Sequence, residues 1–435
     1  MSNIVAIVGR PNVGKSTLFN RLVESRAAIT DPTAGTTRDR HYGHAEWSGV
    51  PFSVIDTGGY VSNSDDIFES EIRKQVALAV EESDSILFLV DVQGGVTTLD
   101  VAVAQMLRKA SKPVMLVANK VDTGDRQFDA ADFYSLGLGE VFCISAQSGT
   151  GTGELLDALV AGFNKPAEPP EPGLMRVAIV GRPNVGKSSL VNALLGREQS
   201  IVTPVAGTTR DPINARYKVF GFDAVLLDTA GIRRKQKVQE DIEFYSVLRS
   251  VRAIEESDVC LMLIDAQEPV QQQDLHIFGL IVKNGKGVVI VVNKWDLVEG
   301  KQTNTAKDVE ATIRERLAPF SDVPVVFTSV LEKQRIHKVM EVAMQVHANR
   351  TQRIATSKLN EVMLPEVERQ PPPVLKSKVN HIKYVTQLPG VVPAFAFFCT
   401  HPAYVRDSYV RFLENKLREH FTFTGVPIRV FFRKK

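Results

Sequence analysis

Gly9-Arg10-Pro11-Asn12-Val13-Gly14-Lys15-Ser16 decides the fold, and the same eight residues return as Gly181-Arg182-Pro183-Asn184-Val185-Gly186-Lys187-Ser188. Ahead of each copy runs a short aliphatic stretch, Ile4 to Val8 and Val177 to Val180, that reads as a buried strand. Behind each, apolar residues recur at helical spacing: Leu18, Phe19, Leu22 and Val23, then Leu190, Val191, Leu194 and Leu195. Strand, glycine-rich loop and helix in that order turn a pattern match into a phosphate loop. The glycines let backbone N–H groups close around phosphate oxygens, the helix N-terminus adds its dipole, and Lys15 or Lys187 reaches the terminal phosphates. Ser16 and Ser188 each offer a hydroxyl to Mg²⁺, and Thr17 and Ser189 complete the two candidate loops.

The two copies belong to a duplicated domain. Gly9 and Gly181, Gly35 and Gly207, and Asp56 and Asp228 are each 172 residues apart, and Asn119 and Asn293 are 174 apart. Strand-like runs at Ser85–Val90, Val114–Ala118, Val259–Ile264 and Val288–Val292 alternate with helical stretches, the pattern of an α/β fold. Lys-Pro-Ala-Glu-Pro-Pro-Glu-Pro-Gly at 165–173 cannot continue a helix or a central strand and reads as a semi-stiff spacer. The chain therefore divides into 1–164, a linker at 165–174, a second copy at 175–350, and a remainder at 351–435. In that remainder a helix over Arg350 to Val362, ending ahead of Pro365, is expected to precede a strand at Lys378 to Val385. The apolar run Ala394 to Cys399, a helix over Ser408 to His420 and a closing strand Ile428 to Phe432 make up a small α+β module.

Three further motifs repeat. Ala34-Gly35-Thr36-Thr37-Arg38-Asp39 and Ala206-Gly207-Thr208-Thr209-Arg210-Asp211 supply threonine hydroxyls that can complete a Mg²⁺ shell, in a loop ordered only while a γ-phosphate is present. Asp56-Thr57-Gly58-Gly59 and Asp228-Thr229-Ala230-Gly231 end apolar strands; the aspartate can hold a Mg²⁺-bound water and the glycine N–H the γ-phosphate. Asn119-Lys120-Val121-Asp122 and Asn293-Lys294-Trp295-Asp296 select the base. A carboxylate accepts from guanine's ring N–H and exocyclic amine, a donor pair that adenine lacks there, so Asp122 and Asp296 argue for GTP. Ser145-Ala146 is placed to support the base, and Thr328-Ser329-Val330 is the divergent equivalent.

Composition is that of an ordinary globular chain: 435 residues, 44% hydrophobic and 23% charged, enough for about three domains. No apolar run approaches a membrane span, and Met1 leads straight into the first strand, so a cytoplasmic protein without a leader is expected. Cys143, Cys260 and Cys399 lie far apart in apolar runs and suggest buried small hydrophobes rather than disulfides or metal ligands. The net charge of +2 conceals a gradient, because residues 351–435 carry 14 Lys and Arg against 6 Asp and Glu. That excess is either a solvated face or the footprint of an anionic partner such as RNA.

Tandem copies of these motifs, followed by a basic module containing Lys383-Tyr384-Val385-Thr386-Gln387, resemble the bacterial EngA (Der) family of ribosome-biogenesis GTPases, within the TrmE-Era-EngA-like group. The resemblance covers essentially the whole chain. It implies two P-loop G domains, a C-terminal KH-like domain, GTP hydrolysis with Mg²⁺, and a monomer that binds rRNA and matures the large ribosomal subunit. The C-terminal module has no Gly-x-x-Gly loop, which leaves it to touch RNA in another way or to pack on a GTPase domain. Tyr60 and Ile232 stand where Ras-like switches carry a water-orienting glutamine and cannot replace it. In GTPases that resemble this one, the loop asparagine, here Asn12 or Asn184, helps seat K⁺; the alternative is that it only stabilises the loop. Arg233-Arg234-Lys235-Gln236-Lys237 reads either as an rRNA or domain-docking surface or as a solvated loop. A tRNA-modifying GTPase is disfavoured because the duplication leaves no chain for a modification domain. An RNA-binding scaffold with structural nucleotides is the other reading.

Overall fold

The computed structural model describes residues 3–30, 42–56, 76–77, 79–80, 83–122, 126–163, 174–196, 215–219, 222–227, 250–268, 270–375 and 379–434. The chain divides into two compact units, Met1–Pro169 and Pro170–Lys435.

In the first unit β1 (Asn3–Val8) enters the phosphate loop, from which α1 (Lys15–Thr30) leaves. β2 (Tyr42–Trp47) and β3 (Val50–Asp56) form a hairpin over Ser48-Gly49, whose φ values of 50° and 80° suit a tight turn that matches strand twist. β4 (Ser85–Asp91), α2 (Thr98–Arg108), β5 (Val114–Asn119), β6 (Val141–Cys143) and α3 (Thr152–Ala161) follow. The sheet order is β2-β3-β1-β4-β5-β6, with only the β2–β3 pairing antiparallel. A sheet covered on both faces needs strands that are apolar throughout, and every residue of β4 is buried. Val5, Ile7, Leu87 and Leu89 face α1 and α3, while Ala6, Val8, Phe88 and Val90 face α2 and the segment Ala130–Leu136. The chain order reverses at β1, flanked by β3 and β4, which opens a crevice at the carboxyl ends of the strands.

The second unit repeats this plan with β7 (Met175–Gly181), α4 (Lys187–Leu195), β8 (Ala215–Val219), β9 (Phe222–Leu226) and β10 (Val259–Asp265). It continues with α5 (Gln272–Lys283), β11 (Gly287–Asn293), α6 (Thr305–Arg316), β12 (Val325–Phe327) and α7 (Ile336–Thr351), in the sheet order β8-β9-β7-β10-β11-β12. The C-terminal module is α8 (Thr356–Arg369), β13 (Ile382–Leu388), β14 (Ala394–Cys399), α9 (Asp407–His420) and β15 (Arg429–Lys434). β14 pairs antiparallel with β13 and parallel with β15, and Leu359, Met363, Phe395, Phe397, Leu413 and Leu417 fill the space beneath.

Three expectations for this module are corrected. The helix anticipated over Arg350 to Val362 is two helices, α7 and α8, with a break between them. Gln387 captures the broken backbone: the Ile354 N–H donates to its Oε1 at 2.8 Å, and its Nε2 donates to the Gln352 carbonyl at 3.1 Å. The second of these helices does not stop before Pro365 but runs through it to Arg369. A mid-helix proline costs roughly 3 kcal/mol; Leu359, Met363 and Val367, all buried on one face, each return about 1.5–3 kcal/mol and outweigh it. Lys378, the expected opening of the strand, lies outside the described residues; Val379 to His381 are not strand, and β13 starts at Ile382, after the Asn380 side chain has been spent on the backbone of His401. Asn380 Nδ2 donates to the His401 carbonyl at 2.8 Å and its Oδ1 accepts from the His401 N–H at 3.1 Å. Of the cysteines, Cys260 and Cys399 are buried and Cys143 is half-buried.

The module is seated on the second G domain at the end of the sheet opposite the phosphate loop. β12 is too short to cover the start of β11, and the Val288 N–H there donates to the Gly425 carbonyl at 2.8 Å. Gly425 donates in turn to the Asp322 carbonyl at 2.8 Å, and the Asn349 amide donates to the Thr424 carbonyl at 3.1 Å. Val426 is buried within the G-domain core itself.

Candidate nucleotide sites

Each phosphate loop is held by backbone conformations that few residues adopt. Asn12 and Asn184 both stand at φ 64°, and Gly14 and Gly186 at 97° and 100°. Successive left-handed and right-handed residues turn backbone N–H groups inward, which makes an anion-binding nest. A Cβ on Gly14 would run into Asn119 Nδ2, and one on Gly186 into Asn293 Nδ2. Lys15 folds over its own loop, donating to the carbonyls of Gly9 and Arg10 at 2.9 Å each. Lys187 does the same with Gly181, at 2.6 Å, and Arg182. Burial pushes the Lys15 ammonium below its usual range, nearby Asp56 opposes the shift, and Arg10 adds to it. An ammonium that has lost water is ready to take phosphate oxygens as partners.

The arginines of the two loops are committed elsewhere. Arg182 donates from Nε to Asp274 Oδ2 at 2.9 Å and from Nη1 to Glu268 Oε2 at 2.6 Å. Asp274 also closes the capping box of α5 with Gln271. Arg10 Nε lies 3.5 Å from Asp100 Oδ2, and Asp100 closes the equivalent box of α2 with Thr97. Both side chains therefore tie the loop to the helix that follows the neighbouring strand in the sheet, α2 after β4 and α5 after β10. Asn12 and Asn184 are exposed, and among the described residues their side-chain amides have no hydrogen-bond partner.

Two further loops close on the phosphate loop through one asparagine. Asn119 Nδ2 donates to the Val13 carbonyl at 2.8 Å, while its Oδ1 accepts from the Ala146 N–H at 2.9 Å. Asn293 repeats this with the Val185 carbonyl at 2.9 Å and the Val330 N–H at 3.1 Å. The second pairing aligns Ser329-Val330 with Ser145-Ala146 despite their different sequence. Lys120 and Lys294 take left-handed φ values of 69° and 62° and pair with Asp91 and Asp265, at 2.6 Å in both sites. Asp122 accepts from the Ser145 hydroxyl at 2.7 Å and lies 3.5 Å from Arg126. In the second site Asn184, Gly186, Ser189, Asn293, Lys294, Asp296, Val330 and Leu331 line one cleft.

The residue types for Mg²⁺ meet in the first site, where the Ser16 hydroxyl donates to buried Asp56 at 2.6 Å. Mg²⁺ keeps most of its waters and takes few protein ligands beside the phosphates, so a hydroxyl and a carboxylate suffice. Among the described residues no group of three or more His, Cys, Asp or Glu gathers as a metal cage. Ser188 occupies the position of Ser16 in the second site. Thr36, Thr37, Thr57, Gly58, Gly59, Tyr60, Thr208, Thr209, Asp228, Thr229, Ala230, Gly231, Ile232 and the basic run 233–237 lie outside the described residues.

A family described as 50S ribosome-binding GTPase matches residues 4–120 and again 176–294. The KH-domain-like family of EngA bacterial GTPase enzymes, C-terminal, matches 353–433. The protein named GTPase Der from Phocaeicola vulgatus is 59% identical over 437 residues, and that from Flavobacterium psychrophilum is 60% identical over 439, each spanning 100% of both chains. The chain belongs to the GTPase Der family. As a Der-family protein it binds GTP and GDP through its G domains and hydrolyses GTP. Among solved structures, Era in complex with MgGDPNP and nucleotides 1506–1542 of 16S ribosomal RNA is 21% identical, covers 79% of this chain and 99% of its own, and has a TM-score of 0.31.

Two sets of residues in these Der-family sites escape a reading of the motifs alone. Asp91 and Asp265 orient the base-loop lysines, and they stand 174 residues apart, the offset of Asn119 and Asn293, so the repeat carried their signal. Arg21, on α1, holds the base loop by donating to the carbonyls of Ala146, at 2.5 Å, and Gln147. Nothing local marks it among the other polar residues of that helix.

Proposed function

We propose that the chain is a GTP-driven switch in the assembly of the large ribosomal subunit, binding pre-ribosomal rRNA in a nucleotide-dependent way. The functional parts are a first GTPase domain over 1–164, a linker at 165–174, a second GTPase domain over 175–350 and a KH-like domain over 351–435. The observation that carries the reading is the clamp made twice over by Asn119 and Asn293, which ties a phosphate loop to a base loop in each copy. The description of the matched family as 50S ribosome-binding, and the basic C-terminal segment, support the choice of partner.

Hydrolysis then rests on positioning and charge neutralisation rather than covalent chemistry. Lys15 and Lys187 draw charge from the γ-phosphate, and Mg²⁺ when bound would supply Lewis-acid stabilisation. Ser16 and Ser188 would hold the metal with Thr36 or Thr37, Thr208 or Thr209, Asp56 and Asp228. Asp122 and Asp296 select guanine. The free amides of Asn12 and Asn184 support a K⁺ subsite beside the phosphates, where a fixed positive charge compensates for the absent glutamine. Turnover in K⁺ is expected to exceed that in Na⁺ at equal ionic strength, and Asn12→Ala with Asn184→Ala to abolish the difference; equal turnover in both salts removes K⁺ from the scheme.

Sedimentation of the purified chain with large ribosomal subunits tests the main reading. In Mg²⁺ and K⁺, binding is expected to differ between GDP, GTP and a non-hydrolysable GTP analogue. Binding that is equal in all three favours a scaffold with structural nucleotides, and no binding in any state removes the ribosomal role. The chain acts in the cytoplasm as a monomer on this reading; no described helix is long and apolar enough to cross a membrane.

A further inference from the structure

The fold sorts the basic residues of the C-terminal module. Arg418 is bonded to Asp322 at 3.1 Å and to the carbonyls of Phe423 and Val426, Lys416 is paired with Glu366 and Glu419, and Arg429 donates to the Lys283 carbonyl at 3.2 Å. These charges serve the fold. Lys383, Arg433 and Lys434 are exposed and gather at one end of the three-stranded sheet.

That end also carries aromatic rings on the side of the sheet away from α8 and α9. Val385, Phe395, Phe397, Val430 and Phe432 point into the core, so strand alternation sends their neighbours outward. The outer face then holds the cross-strand rows Tyr384–Phe398–Arg433 and Thr386–Ala396–Phe431, the second closed at its Thr386 end by the Thr356 hydroxyl of α8, 3.2 Å away. Tyr384 and Phe398 stack with centroids 4.3 Å apart and planes 12° from parallel. Tyr384, Phe398 and Phe431 are each partly exposed, and Ala396, in the second row, is buried. The irregularity in register between Ile382 and Tyr384 sets Lys383 at the rim of the same end.

We propose that this outer sheet face binds single-stranded RNA, the bases stacking against Tyr384, Phe398 and Phe431 while Lys383, Arg433 and Lys434 take the phosphates. The proposal rests on the RNA-binding role above and gives it a surface that needs no Gly-x-x-Gly loop. Stacked rings flanked by cations suit splayed-out bases with backbone between them. Duplex RNA keeps its bases stacked inside and has little to offer a flat aromatic sheet.

The test uses the full-length chain with GTP analogue and Mg²⁺, and measures fluorescence anisotropy on a labelled single-stranded RNA of roughly 12 nucleotides, within the usual site sizes, and on the matching duplex. The single strand is expected to bind more tightly. Tyr384→Ala and Phe431→Ala should each weaken it by about tenfold or more, and Arg433→Ala should reduce the salt slope by about one. GTP turnover and thermal midpoint report that each variant is folded, and Tyr384→Phe should restore binding if the alanine variant is destabilised. Ultraviolet cross-links from the parent chain should fall on peptides containing Tyr384, Phe398 or Phe431. Cross-links elsewhere, or alanine variants that bind like the parent, overturn the proposal. So does a parent that ignores single strands yet sediments with large subunits; that result keeps the ribosomal role and assigns it to another surface. Variants that bind free RNA normally but lose the subunit would make the face a protein-docking surface and also overturn it.

Discussion

The Ser145 hydroxyl donates to Asp122 Oδ1 at 2.7 Å, whereas among the described residues the equivalent pair, Ser329 and Asp296, shares no such bond. Both serine hydroxyls accept from the N–H three residues on, Ser145 from Ser148 at 3.2 Å and Ser329 from Glu332 at 3.3 Å, so the difference lies in the carboxylate alone. The carboxylate that selects the base is thus oriented in the first site and left to the nucleotide in the second. A partly exposed hydrogen bond of this kind contributes about 1 kcal/mol. Ser145→Ala is expected to lower guanine-nucleotide affinity at the first site by roughly fivefold, and Ser329→Ala to change the second by less than about twofold. Titration of a fluorescent GDP analogue, with the other site silenced at Asp122 or Asp296, measures both. Equal losses would show that the two serines do the same work.

The clamp asparagines and the loop glycines depend on one another. Gly14 and Gly186 need φ near 100°, and any Cβ there collides with the asparagine that reaches past it. A left-handed conformation costs an ordinary residue about 1–2 kcal/mol before the collision is counted. Gly186→Ala should therefore reduce affinity at the second site by at least about tenfold and leave the first intact. Gly95→Ala is the control: its φ is 61°, but nothing lies within 4 Å of a new Cβ, so only the backbone penalty should appear. Similar nucleotide affinities in the two variants would mean that the asparagine can move aside.

Both phosphate loops, the sheet strands and the base loops could be read from sequence because each is a local pattern, apolar run then turn residues, and because duplication printed it twice. What escaped was non-local. Arg21 reaches the Ala146 carbonyl across 125 positions, and the break between α7 and α8 is set by Gln387, 33 residues beyond Ile354. The fate of Arg10 and Arg182 was equally hidden, since a motif gives the residue but not the carboxylate that claims its side chain. In the C-terminal module net charge was legible, but its division into structural and available cations required the register of three strands.

Beneath the second sheet, Lys286 donates to the carbonyls of Glu255, at 2.6 Å, and Ser257, at 2.8 Å. Burial, reinforced by Arg350, lowers its pKa from 10.5 to about 8. Below pH 8 the lysine is charged in both folded and unfolded chains, and the folded state carries the full cost of burying it. Between about 8 and 10.5 the unfolded chain keeps a proton that the folded chain has released, so this group makes stability rise with pH across that window. Urea unfolding followed by Trp295 fluorescence should show the parent gaining on Lys286→Met from pH 8 to 10, by about 2 kcal/mol. A constant difference between the two would place the lysine's pKa near its ordinary value.

Arg418 fastens the C-terminal module to the second G domain. Its guanidinium bonds Asp322 at 3.1 Å, takes the Phe423 and Val426 carbonyls at 3.0 and 2.8 Å, and lies 4.7 Å over the Phe320 ring. These bonds hold the turn that presents Gly425 to Val288. Arg418→Ala would leave two carbonyls and a partly buried carboxylate without their donor, at a cost of about 2–4 kcal/mol. The loss should be local. Amide exchange at Val288 and Gly425 should quicken by on the order of 30-fold or more if the seat opens independently, while exchange in β4 and turnover at the first site stay as they were. Lysine keeps the charge but not the planar fork, so Arg418→Lys should recover only part of the protection. If Val288 remains protected in the alanine variant, the seat is held by Gly425 and Val426 packing against the G domain, and Arg418 only decorates it.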